Sequence, residues 1–177
     1  MIKLKTLRTV FFTILLSGFS SFIFSQTIII KKLTVYIFLS EICPICQSYT
    51  LPLKELYKKY SPKEIRFIGV FPNYYAHVDS IASFKNKYNI PFELFIDQNA
   101  KLTTRLGATI TPEVFIESFE NKILYSGRID DSFVALGKRR KVITSNDLDD
   151  ALNCILTNKE IKLKKTQAIG CIIRVSK

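Results

Sequence analysis

Leu33-Thr34-Val35-Tyr36-Ile37-Phe38-Leu39-Ser40-Glu41-Ile42-Cys43-Pro44-Ile45-Cys46 decides the fold of this chain. The first seven residues are β-rich and apolar at successive positions, the pattern of a strand buried on both faces. Gln47 to Tyr60 follows with helical character, and Pro52 predicts a kink in it. The two cysteines therefore sit where a strand turns into a helix. At a helix N-terminus the unpaired backbone N–H groups and the helix dipole favour a thiolate, so a cysteine there has a lowered pKa. A second cysteine three positions on can close a tight internal disulfide. The spacing assigns Cys43 as nucleophile and Cys46 as resolving thiol. Two plainer readings stand beside it. Half a zinc site needs more ligands, and Cys154, Cys171 and His77 are not paired at ligand spacing. A purely structural disulfide is the other.

Residues 1–25 read as a secretory signal. Lys3, Lys5 and Arg8 precede the apolar run Val10 to Leu16, and Ser20, Ser21 and Ser25 suit cleavage before Gln26. An uncleaved anchor over Val10 to Ile30 is the alternative, although serines and a glycine dilute that stretch. In both cases the thiols face a compartment outside the cytoplasm, where disulfides persist. Residues 26–157 are long enough for one domain with its own core, and 158–177 form a basic tail carrying Cys171. The whole chain carries a net charge of +11, of which the signal supplies three. Its basic residues are scattered, with clusters at Lys138 to Lys141 and Lys159 to Lys165. A solvated surface explains them, weak contact with an anionic surface is the milder alternative, and nucleic acid is a poor partner for an exported chain.

Strand and helix signals alternate along the rest. Ile65 to Phe71 is a second buried strand, Asp79 to Tyr88 a helix with Ile81, Phe84 and Tyr88 on one face, and Phe92 to Ile96 a short strand. Gln98 to Leu106 is a short helix closed by Gly107. Glu113 to Glu117 and Lys122 to Tyr125 are strands joined by a polar turn. Residues 127–145 read as a long loop. Asn146 caps a final helix, Asp147 to Leu156, whose Leu148, Leu152, Ile155 and Leu156 face the core. The order predicts an α/β fold with a mainly parallel sheet covered on both faces and an antiparallel edge.

With Cys43-Pro44-Ile45-Cys46 on the first strand-to-helix turn, the chain resembles the thioredoxin superfamily, and more closely the exported TlpA-like and peroxiredoxin-like redoxins. That likeness implies a central mixed sheet flanked by helices, with Asp79 to Ile96 as an inserted helix–strand unit. Leu106 to Phe115 matches as well, and Pro112 maps to the superfamily's cis-proline. The resemblance implies that Thr111 and Pro112, with Pro44 and Ile45, line the substrate site. Tyr125-Ser126-Gly127-Arg128-Ile129-Asp130-Asp131, Gly137 to Arg140, and Thr166 to Ile173 resemble a redoxin subgroup that carries a Gly-Cys near its end. In that subgroup serine can replace the second cysteine of the motif, so the likeness makes Cys171 a candidate partner of Cys43; a small apolar residue in a docked tail is the other reading.

The sequence also departs from these relatives. The thioredoxin buried acid falls on Ile37, with Glu41 nearby in the turn. Of the peroxiredoxin pattern, Ser40 fits, but Tyr36 replaces a proline and Thr111 replaces an arginine that polarises peroxide; Arg128 is the nearest substitute. Cys154 reads as structural and His77 as a surface residue. The expected activity is an extracytoplasmic, periplasmic thiol–disulfide oxidoreductase. It would act on disulfide-containing proteins, use no organic cofactor, and take electrons from a membrane-bound protein donor. A thiol peroxidase using Cys43 with Cys46 or Cys171, and a Cu(I)-binding chaperone, are the alternatives.

Overall fold

The computed structural model describes residues 32–72 and 76–174. The signal at 1–25 and the alternative anchor lie outside the described residues, as does the end of the tail. Strand β1 (Leu33–Phe38) runs through the middle of a five-stranded sheet. It pairs in parallel with β2 (Ile65–Phe71), which pairs in parallel with β3 (Glu93–Ile96). On its other side it pairs antiparallel with β5 (Glu113–Ser118), which pairs antiparallel with β6 (Ile123–Gly127). The resulting order is β3-β2-β1-β5-β6. β4 (Ile110–Thr111) lies outside this sheet, just before Pro112.

Alternation along β1 explains its central place. Leu33, Val35 and Ile37 belong to a large core that includes Leu53, Tyr60, Phe67, Ile116, Leu148 and Leu152. Phe38 belongs to a second, smaller core with Ile68, Val70, Leu106 and Phe115, where the Phe38 and Phe115 rings meet edge to face at 5.6 Å. Each such side chain contributes about 1.5–3 kcal/mol on burial. A strand apolar on both sides is stable only where both faces are covered.

The segment after the cysteines forms two helices, α1 (Pro44–Ser48) and α2 (Thr50–Tyr60), broken at Tyr49. The expected kink falls there because Pro52 has no N–H to give the Ser48 carbonyl. Helices α3 (Val78–Tyr88), α4 (Lys101–Leu106) and α5 (Asp147–Leu156) follow the predicted order, α3 and β3 forming the inserted unit. Ile81 and Phe84 are buried on α3.

Two expectations need correction. Asn146 stands at the start of α5 but its side chain makes no capping bond; Asp147 instead accepts from the Ser145 hydroxyl at 2.9 Å. The loop 127–145 is not structureless. It holds a small hairpin, β7 (Phe133–Ala135) and β8 (Lys138–Arg139). Arg140 reaches Asp131 at 3.3 Å and the Arg139 guanidinium lies 5.7 Å from the Phe133 ring. Two members of that basic cluster therefore serve the hairpin itself. Among the described residues no helix is long and apolar enough to cross a membrane.

The tail is docked. It bonds to β6 through Ser126 N–H to Lys164 O at 3.0 Å and Thr166 N–H to Ser126 O at 2.9 Å. The Thr166 hydroxyl lies 2.7 Å from the Tyr125 hydroxyl and accepts from the Arg128 N–H at 3.0 Å. Gly127, at φ +134, is required here, because a Cβ would collide with the Thr166 carbonyl. The tail then ends in β9 (Cys171–Ile172), antiparallel to β4.

Candidate active site

Cys43 is the residue before α1 and adopts extended backbone, φ −79° and ψ 117°. Ser40 to Cys46 wraps tightly around it. The Cys43 N–H donates to Ser40 O at 3.2 Å, Gln47 N–H donates to Cys43 O at 3.0 Å, and the Gln47 side-chain amide holds the Glu41 carbonyl at 2.8 Å. Cys46 is fully buried and accepts the Ser40 N–H at 3.4 Å. Thr111 is buried opposite, its peptide bond to Pro112 is cis, and its carbonyl oxygen lies 3.5 Å from Cys43 Sγ. Glu113 steadies that approach by accepting the Thr109 N–H at 2.9 Å.

Cys171 completes the site. Its register partner is Thr111, and its Sγ lies 3.0 Å from Cys43 Sγ. Three of the four cysteines, separated by as many as 128 positions, thus converge on one point. Cys43 is only 1% exposed. Its pKa is lowered to about 5, first by the hydrogen bond from the Cys46 thiol, against the opposing effect of burial. The Cys171 thiol and the backbone N–H groups of Cys46 and Ile45 lower it further. The helix N-terminus expected from sequence contributes, but the neighbouring thiols outweigh it. Burial holds Cys46 well above the ordinary thiol value, with the Cys43 hydrogen bond and charge adding to it. Cys171 is pushed up to about 11 by burial and then by Cys43. One thiolate flanked by two protonated donors is the arrangement a nucleophile with two candidate resolving groups requires.

The other sequence candidates fall in distinct places. Pro44 is exposed beside Cys43, but Ile45 is buried in the core, so it offers the site its N–H and not its side chain. Arg128 does not substitute for the missing arginine. Its guanidinium is committed to Asp147, at 2.6 Å from Nε. Ile37 is buried where the thioredoxin acid would stand, and Glu41 lies in the turn. Cys154 is half-buried on α5 and His77 is exposed at the start of α3. Among the described residues no group of three or more His, Cys, Asp or Glu side chains is placed to hold a metal.

Sequence reasoning did not foresee why two distant stretches both matched the redoxin subgroup. Tyr125 to Arg128 and Thr166 to Cys171 are the two sides of one interface, and that interface delivers Cys171 to Cys43. Their joint appearance was the available signal. Tyr49 was also missed. Its hydroxyl donates to buried Asp130 at 2.5 Å, tying the helix break to the segment after β6.

A strand-turn-helix dithiol facing a cis-proline on a mixed sheet defines a thioredoxin-like protein. A family model described as Redoxin matches residues 14–134, and the chain belongs to that family, with the thioredoxin-like redox function the family carries. Two solved structures are similar along most of their length. A hypothetical protein from Sinorhizobium meliloti 1021 is 21% identical, with a TM-score of 0.71 over 82% of this chain and 80% of that one. An uncharacterized conserved protein from Geobacillus kaustophilus is 22% identical, with a TM-score of 0.72 over 82% and 79%. No curated protein matches the chain.

Proposed function

We propose that the protein is an extracytoplasmic thiol–disulfide oxidoreductase whose nucleophile is Cys43. The observation that carries this reading is the Cys43 sulfur at a helix start, 3.0 Å from Cys171 Sγ, with Cys46 in the turn that follows and the Thr111 carbonyl beside it; its lowered pKa agrees. The Cys43 thiolate attacks one sulfur of a substrate disulfide. A Cys43–substrate bond forms, the substrate S–S bond breaks, and the departing thiolate takes a proton. Cys46, deprotonated as Cys43 loses its charge, then attacks Cys43 Sγ and releases the second substrate thiol. Thr111 and Pro112 line the substrate side, with Pro44 at the exposed rim. Disulfide-containing proteins are the substrates, and a protein donor, membrane-bound on this reading, returns the two electrons. The export reading rests on residues 1–25. Reduction of a peptide disulfide should vanish in Cys43→Ser; full activity in that variant contradicts the mechanism.

A second reading, a thiol peroxidase, is favoured by one observation: Cys43 is covered, and a distant cysteine touches it. A small oxidant reaches such a sulfur more easily than a protein does, and Cys171 would resolve the sulfenic acid. Against it, Arg128, the candidate cation, is committed to Asp147. Oxidation of Cys43 by hydrogen peroxide no faster than that of a free thiol excludes this reading.

A further inference from the structure

Cys43 attacks only what can reach it, and in this structure the tail lies across it. β9 pairs with β4 at the residues Ile110↔Ile172 and Thr111↔Cys171, and the Ile173 N–H donates to Thr109 O at 2.9 Å. The tail therefore occupies the backbone edge of Thr111 beside the nucleophile and presents a cysteine sulfur to Cys43 Sγ. That is the position a cysteine of an incoming extended chain must take. The docking is close but narrow. Gly170 lies so near Thr111 that a Cβ would collide with its carbonyl oxygen. The side chain of Ile172 is 78% exposed, so it adds little apolar burial to hold the strand. Ile42, next to Cys43, is 75% exposed. The firm attachment of the tail is farther back, at Tyr125, Arg128 and Thr166.

Resting on the oxidoreductase reading, we propose that residues 169–173 are a displaceable plug: an internal competitor for the strand-pairing edge of Thr111. An extended, cysteine-bearing polypeptide must displace it to engage Cys43. The Thr166 anchor keeps the displaced segment tethered, so it re-docks once product leaves. Turnover then sets the plug. After a substrate disulfide has been reduced, Cys43 and Cys46 share a disulfide. The returning Cys171, as thiolate, attacks Cys43 Sγ; the Cys43–Cys171 bond forms, the Cys43–Cys46 bond breaks, and Cys46 leaves as a thiolate that takes up the proton Cys171 lost. No further oxidant is consumed, and the edge stays closed until the electron donor reduces that bond.

Gly170→Ala tests the plug without removing any cysteine. The reduced full-length variant and wild type are labelled with a polyethylene-glycol maleimide, and mass spectrometry of digests follows the label on Cys43. The plug predicts Cys43 labelling at least tenfold faster in Gly170→Ala; an unchanged rate overturns it. Amide exchange of reduced wild type is the second measurement, and it stands if the variant fails to fold. Residues 169–173 should exchange through an opening that leaves β1 and β5 protected; exchange only with global unfolding overturns the proposal. Peptide-disulfide reduction is read on the same samples. Faster labelling with no reduction by either protein keeps the plug and rejects the oxidoreductase reading, whereas reduction with unchanged labelling does the reverse.

Discussion

Cys46 and Cys171 reach the same sulfur by opposite routes. Cys46 is delivered locally: it lies three positions from Cys43 in the first turn of α1, is fully buried, and rests on the main core. Cys171 is delivered from 128 positions away by a half-buried tail that depends on a few polar contacts and two close glycines. The local thiol is fixed wherever the fold is intact. The distant thiol is conditional on docking. A site of this kind separates what must always be present from what can come and go, because local opening of a lightly packed segment costs far less than opening the core.

Losing the shared partner, Cys43, should cost the most. Cys43→Ser should lower peptide-disulfide reduction by about a thousandfold or more, as loss of a covalent nucleophile does. Cys46→Ser and Cys171→Ser should then differ in kind. The first should accumulate a Cys43–substrate mixed disulfide, visible as a mass increase under non-reducing conditions. The second should keep dithiol turnover; equal trapping by both would mean that the local and distant thiols have the same role.

Stability should separate the two regions next. Leu53 is buried on the core face of α2, so Leu53→Ala should cost about 2–5 kcal/mol in global unfolding. Thr166→Val leaves the Arg128 N–H and Tyr125 hydroxyl without their tail partner, a penalty of about 1–3 kcal/mol. Its effect should appear as faster amide exchange at 171–173, with the core strands unchanged. Equal loss of protection in β1 would show that tail and core open together.

The smallest effect is on pH dependence. Alkylation of Cys43 by a small reagent should fall as pH drops through about 5, where the thiolate is protonated. Because the hydrogen bond from the Cys171 thiol helps hold that value down, Cys171→Ala, which has no donor there, should move the midpoint upward. The folded pKa lies below that of a free thiol, so the stabilisation from this thiolate is complete above the free-thiol pKa and is lost as pH falls towards about 5. An unchanged midpoint in Cys171→Ala would remove the distant thiol from the electrostatics of the site.

The same contrast explains what could be read from the sequence. β1, β2, α3 and α5 were legible because their apolar residues recur with strand or helix period, and burial follows from that period. Cys43 and Cys46 were legible because three residues and one turn bring them together. The pairing of Ile110 and Thr111 with the tail was not, since no local periodicity encodes which distant segment lies beside which. Tyr125, Gly127, Thr166 and Gly170 carry that information, and each is an ordinary residue until its partner is known. Arg128 was misplaced for a related reason. Its charge suited the thiolate, but Asp147, nineteen positions on, binds it first.

Cys43 is served by two thiols, one local and one brought by the tail. The most direct test is disulfide mapping of Cys46→Ser after mild oxidation and thiol trapping. With the local partner gone, an intramolecular Cys43–Cys171 bond should form in most molecules. Cys43 left free, or bonded only between molecules, would mean that the tail thiol does not serve it.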